Sequence, residues 1–322
     1  MKFKMINKRP IISIVLPCYN EALALPVTVN TLLSLLDKMV EENLISSNSF
    51  ILCSDDGSID ATWQVINELH LQDSRIKGIS LAKNKGHQYA LLAGLMSVKD
   101  RCDAAISIDA DLQDDPQAIV AMINDFIAGK EIVYGVRSSR VSDTWFKRTT
   151  AHSFYRFQRL MGLNTIFDHA DYRLMSNRAL DLLSEYDESN LFLRGIIPQI
   201  GLETSIVKYD RKERIAGESK YPLRKMLSFS IDGITSFSAK PMRLIFMIGL
   251  ILLLIDIVVA VYVLISYFSL NTISGWTSIM LSVWFLGSLI LIGMGIIGEY
   301  IGKIFIEVKK RPRYAIKETL ID

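Results

Sequence analysis

The chain has 322 residues, with 36 basic and 34 acidic side chains and a formal net charge of +2. That near-balance removes any case for bulk nucleic-acid binding, and the length allows one sizeable domain plus extra elements. Half of the residues are hydrophobic and the mean hydropathy is +0.27, high for a wholly soluble protein, with the excess gathered near the C-terminal end.

The opening basic residues Lys2, Lys4, Lys8 and Arg9 precede a short apolar run, 11–16, that Pro17 stops, so no secretory signal is expected. That run reads as a strand ending in Pro-Cys-Tyr-Asn-Glu, and 27–40 has helical apolar spacing. A second strand, 50–53, runs into Ser-Asp-Asp-Gly-Ser-Ile-Asp, and 61–71 is helical. A third strand, 76–81, is followed by Lys-Asn-Lys-Gly-His and a helix over 88–98. The fourth strand begins at Ala104 and leads into Asp109-Ala110-Asp111-Leu112-Gln113. A helix over 118–128 and a strand over 131–134 follow. Such alternation predicts a mostly parallel α/β sheet covered by helices, with polar loops at the C-terminal ends of the strands.

Those ends line one edge, where α/β proteins bind ligands. Glu21, Asp55, Asp56, Asp109 and Asp111 are therefore expected in one cleft, where five acids repel one another unless cations or donors compensate. If the fourth strand continues that far, Asp109, Asp111 and Gln113 share one face and offer oxygen ligands to Mg2+ or Mn2+. The alternative is an acidic turn that starts the helix after Pro116. The cysteines Cys18, Cys53 and Cys102 form no C-x-x-C pair and are expected as buried free thiols in a reducing compartment. The four histidines are scattered, so no histidine metal site is expected, and no GxGxxG, P-loop or HExxH is present.

From 143 to 162 aromatic residues interleave with Lys147, Arg148, Arg156 and Arg159. This amphipathic segment reads equally as a helix at a membrane surface or as one packed on the sheet with solvated charges. The basic stretch 211–221 reads as a loop, either solvated or closing over a polyphosphate. Residues 222–240 form a second amphipathic segment. Two apolar spans, 244–270 and 276–300, are each long enough to cross a bilayer, and Lys and Arg flank their outer ends. They predict a transmembrane hairpin with both outer ends cytoplasmic. Asp256 in the first span is expected to pair with another helix or subunit, and Gly298 and Gly302 suit close helix packing in an oligomer.

The ordered motifs resemble membrane-bound family 2 glycosyltransferases that load a sugar onto a polyprenyl phosphate. They are most similar to bactoprenol (undecaprenyl-phosphate) glucosyltransferases, with a catalytic domain similar to that of dolichyl-phosphate mannose synthase. The motifs are P-x-Y-N-E at 17–21, D-D-G-S-x-D at 55–60, K-N-x-G at 83–86, D-A-D-L-Q-D at 109–114 and G-x-R at 135–137. They continue with D-Y-R-L-M at 171–175, R-x-A-G-E-S-K-Y at 214–221, and the C-terminal G-E-Y-I-G and K-K-R-P-R-Y. His169-Ala170 stands where relatives often carry glycine.

The resemblance implies a GT-A, Rossmann-like α/β domain over 1–221, including the interfacial segment 143–162. It also implies a juxtamembrane segment 222–243, a two-helix hairpin 244–302 and a basic cytoplasmic tail 303–322. Pro17, Tyr19, Glu21, Asp55, Asp56, Lys83, Asp109, Arg214 and Lys220 would bind a nucleotide sugar, best matched by UDP-glucose. Asp109, Asp111 and Gln113 would hold the cation. Arg137 and Arg148 would meet the acceptor phosphate, and Asp111, Asp171 and Arg137 would serve catalysis, Asp171 as a base or as a structural partner of arginine. The implied protein is an inverting hexosyltransferase of the bacterial inner membrane, multi-pass, with both termini cytoplasmic. It is a homo-oligomer, a tetramer by resemblance, in contact with membrane lipid and binding no nucleic acid. Galactose, mannose, N-acetylated or amino sugars are alternatives to glucose. A processive polysaccharide synthase would carry Q-x-x-R-W, which is absent, and a non-catalytic scaffold would not need intact acids at every expected position.

Overall fold

The computed structural model describes residues 9–137, 169–188, 191–210 and 275–321, together with a scatter of helical residues between Met242 and Val261. The segments expected over 143–162, 211–221 and 222–240, with Arg148, Arg214, Lys220 and Asp256, lie outside the described residues. The chain divides into two compact units. One comprises Met1–Ala151, Thr165–Lys220 and Pro312–Asp322, and the other His152–Asn164 and Tyr221–Arg311.

In the first unit the predicted alternation is present. It runs β1 (Ile12–Cys18), α1 (Leu25–Glu41), β2 (Phe50–Asp55), α2 (Thr62–Gln72), β3 (Ile76–Leu81), α3 (His87–Val98), β4 (Ala104–Ser107), α4 (Ala118–Ile127) and β5 (Ile132–Arg137). It continues through β6 (His169–Ser176), α5 (Asn177–Ser184), α6 (Leu193–Ile196), a 3-10 turn at Ile197–Ile200 and β7 (Thr204–Tyr209). The C-terminal β8 (Ile316–Thr319) follows the long helix α7 (Trp276–Val308) of the second unit.

Among the described residues the sheet has eight strands, in the order β7-β5-β6-β4-β1-β2-β3-β8. β1 is parallel to both β2 and β4, and β2 to β3. The chain winds outward in both directions from β1, so the β1–β4 boundary is a topological switch point, where a crevice opens at the strand ends. β1, β2 and β4 are buried along their whole length, as expected for strands covered on both faces. Helix α1 buries Leu25, Val29, Leu32, Leu36 and Met39, a stripe at helical spacing. Gly94 lets α3 lie close on β1, since a Cβ there would come within 2.5 Å of Val15 Cγ1. The three cysteines are buried free thiols.

Three features differ from the sequence expectations. β4 ends at Ser107, so Asp109 and Asp111 sit in a turn, with Leu112 at φ 51°, and not on a continued strand. Most pairings in the sheet are parallel, as expected, but β6 runs antiparallel between β4 and β5, which the alternation did not predict. Its first residues therefore lie at the C-terminal end of β4, where Arg173 pairs with Ser107. The stretch 303–322, expected as a basic tail, is helical through Val308 and then supplies β8 antiparallel to β3. Ala82 N–H donates to Ala315 O at 2.8 Å, Leu320 N–H to Gly78 O at 2.7 Å, and Trp63 Nε1–H to Glu318 Oε2 at 2.8 Å. β3 would otherwise be an open edge, and pairing with it gives this polar strand its place.

In the second unit, one helix among the described residues, Phe285–Val308 within α7, is long and apolar enough to cross a membrane. The described residues between Met242 and Val261 are helical too.

Candidate active site

The loops after β1 and β2 are laced together. Asn20 takes φ 56°. Its N–H donates to Ser58 Oγ at 2.9 Å and its Oδ1 accepts from Ile59 N–H at 3.0 Å. Glu21 N–H donates to Thr62 Oγ1 at 2.8 Å, and that hydroxyl donates to Asp60 Oδ1 at 2.6 Å. This lacing leaves Tyr19 exposed and Glu21 half-buried at the strand-end edge, while Pro17 is buried.

Asp55 and Asp56 shape the floor. Asp55 accepts from Ser58 N–H at 3.1 Å and from Ser80 Oγ at 2.8 Å. Asp56 accepts Lys85 N–H at 2.7 Å and Gly86 N–H at 2.8 Å. Burial raises the Asp56 pKa and the two amides oppose it. Asp56 thus sets the loop that carries the exposed Lys83 and starts α3. Gly57 closes against the same loop at φ 63°, where a Cβ would lie 2.7 Å from Lys83 C and 2.8 Å from Asn84 N.

The turn after β4 is pinned at both ends. Thr28 Oγ1 of α1 donates to Ala110 O at 2.6 Å, and Gln113 N–H donates to Asp111 Oδ1 at 3.1 Å. Tyr172 OH donates to Asp115 O at 3.0 Å. Asp109 is part-exposed, Asp111 half-buried and Gln113 buried. Asp109 and Asp111 offer oxygen donors only, which suits a hard divalent cation. Among the described residues no group of three His, Cys, Asp or Glu side chains is placed to hold an ion. Desolvation, with the carboxylates of Asp171, Asp114 and Asp111, raises Asp109 to about 6 against the opposing pull of His87.

Arg137, at the end of β5, does not stand alone. Its Nη2–H donates to Asp114 Oδ1 at 3.1 Å, and Tyr209 OH donates to the same oxygen at 2.7 Å. Asp114 is buried, and the Arg137 side chain keeps 21 % of its surface exposed.

Asp171 lies buried at the start of β6, and its carboxylate is heavily subscribed. Oδ1 accepts from Arg173 Nη2–H and, at 3.2 Å, from Arg194 Nε–H. Oδ2 accepts from Arg194 Nη2–H at 3.0 Å and Gln88 Nε2–H at 3.3 Å, with His87 Nε2 at 3.5 Å. Against the cost of burial, Arg194, His87 and Arg173 hold this carboxyl well below the usual range. His87 Nε2 also lies 3.7 Å from Asp109 Oδ1, and Gln88 Oε1 accepts from Leu193 N–H at 3.0 Å.

The fold therefore brings Glu21, Asp55, Asp56, Lys83, Asp109, Asp111, Arg137 and Asp171 to one sheet edge. Sequence reasoning missed Asp114, Tyr209, His87, Gln88 and Arg194. Asp114 was readable as the last acid of its motif, whereas Arg194 carried no local signal. Comparison with known proteins accords with this architecture. The "Glycosyl transferase family 2" model matches residues 13–183. The chain is 50 % identical to "Uncharacterized glycosyltransferase YkoT" of Bacillus subtilis (strain 168) over 97 % of its length and 93 % of the relative's. It is 38 % identical to the "SfII prophage-derived bactoprenol glucosyl transferase" of Shigella flexneri over 96 % of its length and 98 % of the relative's. Mannosyl-3-phosphoglycerate synthase from Rubrobacter xylanophilus superposes with a TM-score of 0.46 at 18 % identity, covering 69 % of this chain and 71 % of that one. By its family match and its relatives the chain is a glycosyltransferase, and it belongs to glycosyl transferase family 2.

Proposed function

We propose that this enzyme transfers a hexose, glucose from UDP-glucose, to the phosphate of a polyprenyl phosphate at the cytoplasmic face of the bacterial inner membrane, inverting the anomeric centre. The observation that carries the reading is the 38 % identity with a bactoprenol glucosyl transferase over nearly the full length of both chains. The site chemistry supports it. Pro17, Tyr19, Glu21 and Asp55 border the nucleoside, and Lys83, Arg214 and Lys220 supply cations for the diphosphate. Asp109 and Asp111, with Gln113 as a further oxygen donor, hold Mg2+ or Mn2+, and the bound ion offsets the charge that grows on the departing diphosphate.

Arg137 receives the acceptor phosphate, joined by Arg148. A guanidinium suits this role because its planar fork matches phosphate oxygens. The acceptor needs little deprotonation, since a phosphate monoester has its second pKa near about 6. Asp171, saturated by donors, serves as the buried counter-ion that orients its arginine and histidine neighbours, and no base is required. α7 and the apolar segment before it anchor the chain in the membrane as a hairpin, and Gly298 and Gly302 give close packing in a homo-oligomer.

The test is transfer of labelled glucose from UDP-glucose to a short polyprenyl phosphate by the purified full-length protein, with and without chelator, beside other nucleotide sugars. The expected result is a metal-dependent, β-linked lipid product that Asp111→Asn abolishes without unfolding the protein. Transfer unaffected by chelator or by Asp111→Asn would refute the metal assignment. A preference for another nucleotide sugar would replace glucose.

A further inference from the structure

The C-terminal K-K-R-P-R-Y motif takes no part in the reaction proposed above, yet its second arginine is firmly held. Arg313 Nη1–H donates to Tyr186 O at 2.6 Å, just beyond the end of α5. Its Nη2 lies 3.5 Å from Asp187 Oδ1, and its side chain keeps 19 % of its surface exposed. Two residues further on, Ala315 O accepts from Ala82 N–H at 2.8 Å. Ile316 then pairs with Leu81, Glu318 with Ser80 and Thr319 with Ile79. All of these residues belong to the first unit. Residues 313–316 therefore run from the end of α5 to the end of β3.

We infer that Arg313 is a positioning residue for the donor loop: by fastening residues 313–316 to the end of α5, it fixes the backbone from which Lys83–Gly86 springs. The inference rests on the reading of that loop as part of the nucleotide-sugar site. Three observations lead there. The first is adjacency. Ala82, held by Ala315, directly precedes Lys83. The far end of the same loop is held by Asp56, through the N–H groups of Lys85 and Gly86. One bond at the root and two at the far end leave the loop little freedom, and the root bond comes from the C-terminal segment.

The second observation is what the end of β3 supports. Ser80 donates its hydroxyl to Asp55 at 2.8 Å, and its backbone position pairs with Asp55 on one side and Glu318 on the other. The C-terminal strand thus braces the strand end that serves both a donor-site carboxylate and the donor loop. The third is how the segment is held. All four residues of β8 are exposed, so apolar burial does not keep the strand in place. At its far end Leu320 packs on the core and Trp63 bonds Glu318. At the near end, beside the loop, Arg313 is the anchor. Asp187 is 92 % exposed, so that ion pair adds little. The bond from the guanidinium to the Tyr186 carbonyl carries the anchoring, as a charged donor in a mostly covered setting can.

The experiment measures UDP binding with Mn2+ by titration calorimetry and amide hydrogen exchange by mass spectrometry, on the full-length protein in detergent. It compares wild type with Arg313→Ala, Arg313→Lys, Lys83→Ala and a control at the opposite sheet edge, Ser205→Ala, which loses a 2.6 Å bond to Asp125. Arg313→Ala is expected to weaken UDP binding about three-fold to ten-fold. It should also speed exchange at residues 82–86 while β5 and β7 keep their protection, since local opening is confined to the loop. Arg313→Lys keeps one donor for the Tyr186 carbonyl and should recover most of the affinity. Ser205→Ala should leave UDP affinity within about two-fold. Unchanged UDP binding and exchange in Arg313→Ala overturn the inference. So does faster exchange across the whole sheet, or an equal loss of UDP affinity in Ser205→Ala, because either marks general support of the fold. If Lys83→Ala weakens UDP binding in the same series, the donor reading of the loop stands whatever Arg313 does. If Lys83→Ala binds UDP as wild type does, that reading falls and this inference with it.

Discussion

Asp114 is the place to test the proposed acceptor role of Arg137. It is 1 % exposed, and its Oδ1 takes the Arg137 guanidinium at 3.1 Å and the Tyr209 hydroxyl at 2.7 Å, while Oδ2 has no hydrogen bond among the described residues. Asp114→Asn preserves shape and one oxygen but removes the charge that holds Arg137. Hydrogen bonds to charged groups contribute about 1.5–3 kcal/mol, so weakening this one should cost roughly ten-fold to a hundred-fold in whatever Arg137 binds. Asp114→Ala goes further and strands both partners. Breaking a buried pair costs about 3–5 kcal/mol, and the part-exposure of Arg137 places this case near the lower end, about 3 kcal/mol.

The assay is steady-state transfer with each substrate varied in turn, together with thermal unfolding in detergent. Asp114→Asn should lower kcat/KM for the polyprenyl phosphate while donor KM stays within about two-fold. Tyr209→Phe, which removes one hydroxyl, should have a milder effect of about 1 kcal/mol. Arg137→Met should make the Asp114 effect on acceptor use disappear in the double variant, because the carboxylate acts through the guanidinium. If Asp114→Asn lowers donor and acceptor use equally, or neither, then Asp114 does not position Arg137 for the acceptor and the assignment of Arg137 falls with it.

Three further outcomes follow from the geometry. Metal affinity should decline as pH drops through about 6, because Asp109 is raised to about 6 and its protonated form cannot ligate a cation; a flat Mn2+ affinity between pH 5 and 7, read by titration calorimetry, would contradict this. Gly57→Ala should weaken UDP binding, since the added Cβ meets Lys83 and Asn84 backbone at under 3 Å and the residue must hold φ 63°, a conformation that costs a side-chain-bearing residue about 1–2 kcal/mol. Unchanged UDP affinity would show that the Lys83–Gly86 loop does not carry the donor. Removing residues 312–322 should lower the unfolding temperature and expose β3 to proteolysis, because the strand's ladder bonds and the Trp63–Glu318 bond are lost, at about 1 kcal/mol each. Equal protease resistance would mean that β8 adds nothing to the sheet.

Much of the protein was legible in its residue order. Short apolar runs ending in polar loops produced the β1 to β5 alternation. Glu21, Asp55, Asp56, Asp109 and Asp111 were expected at one edge because strand ends in such sheets converge. Burial on both faces makes these strands continuous hydrophobic runs, and that signal is local. Of the two apolar C-terminal spans expected from length and composition, one corresponds to a helix among the described residues long and apolar enough to cross a membrane, Phe285–Val308.

What only the tertiary structure decided was pairing between distant positions. β8 is Ile-Lys-Glu-Thr with every residue exposed, so no periodicity marks it, and its place comes from the backbone edge that β3 presents. Asp56 and Asp171 read as site acids, yet the fold consumes their carboxylates on loop amides, arginines and Gln88. Arg194 and Tyr209 acquire their roles because β6 runs antiparallel beside β4 and β7 lies parallel beside β5, bringing residues from far along the chain to the acidic turn. The ordered motifs carried the resemblance to the family, and the run Asp109-Ala110-Asp111 marked candidate cation ligands. The orientation of the side chains around them depends on directional hydrogen bonds across long sequence separations, and those exist only once the sheet is assembled.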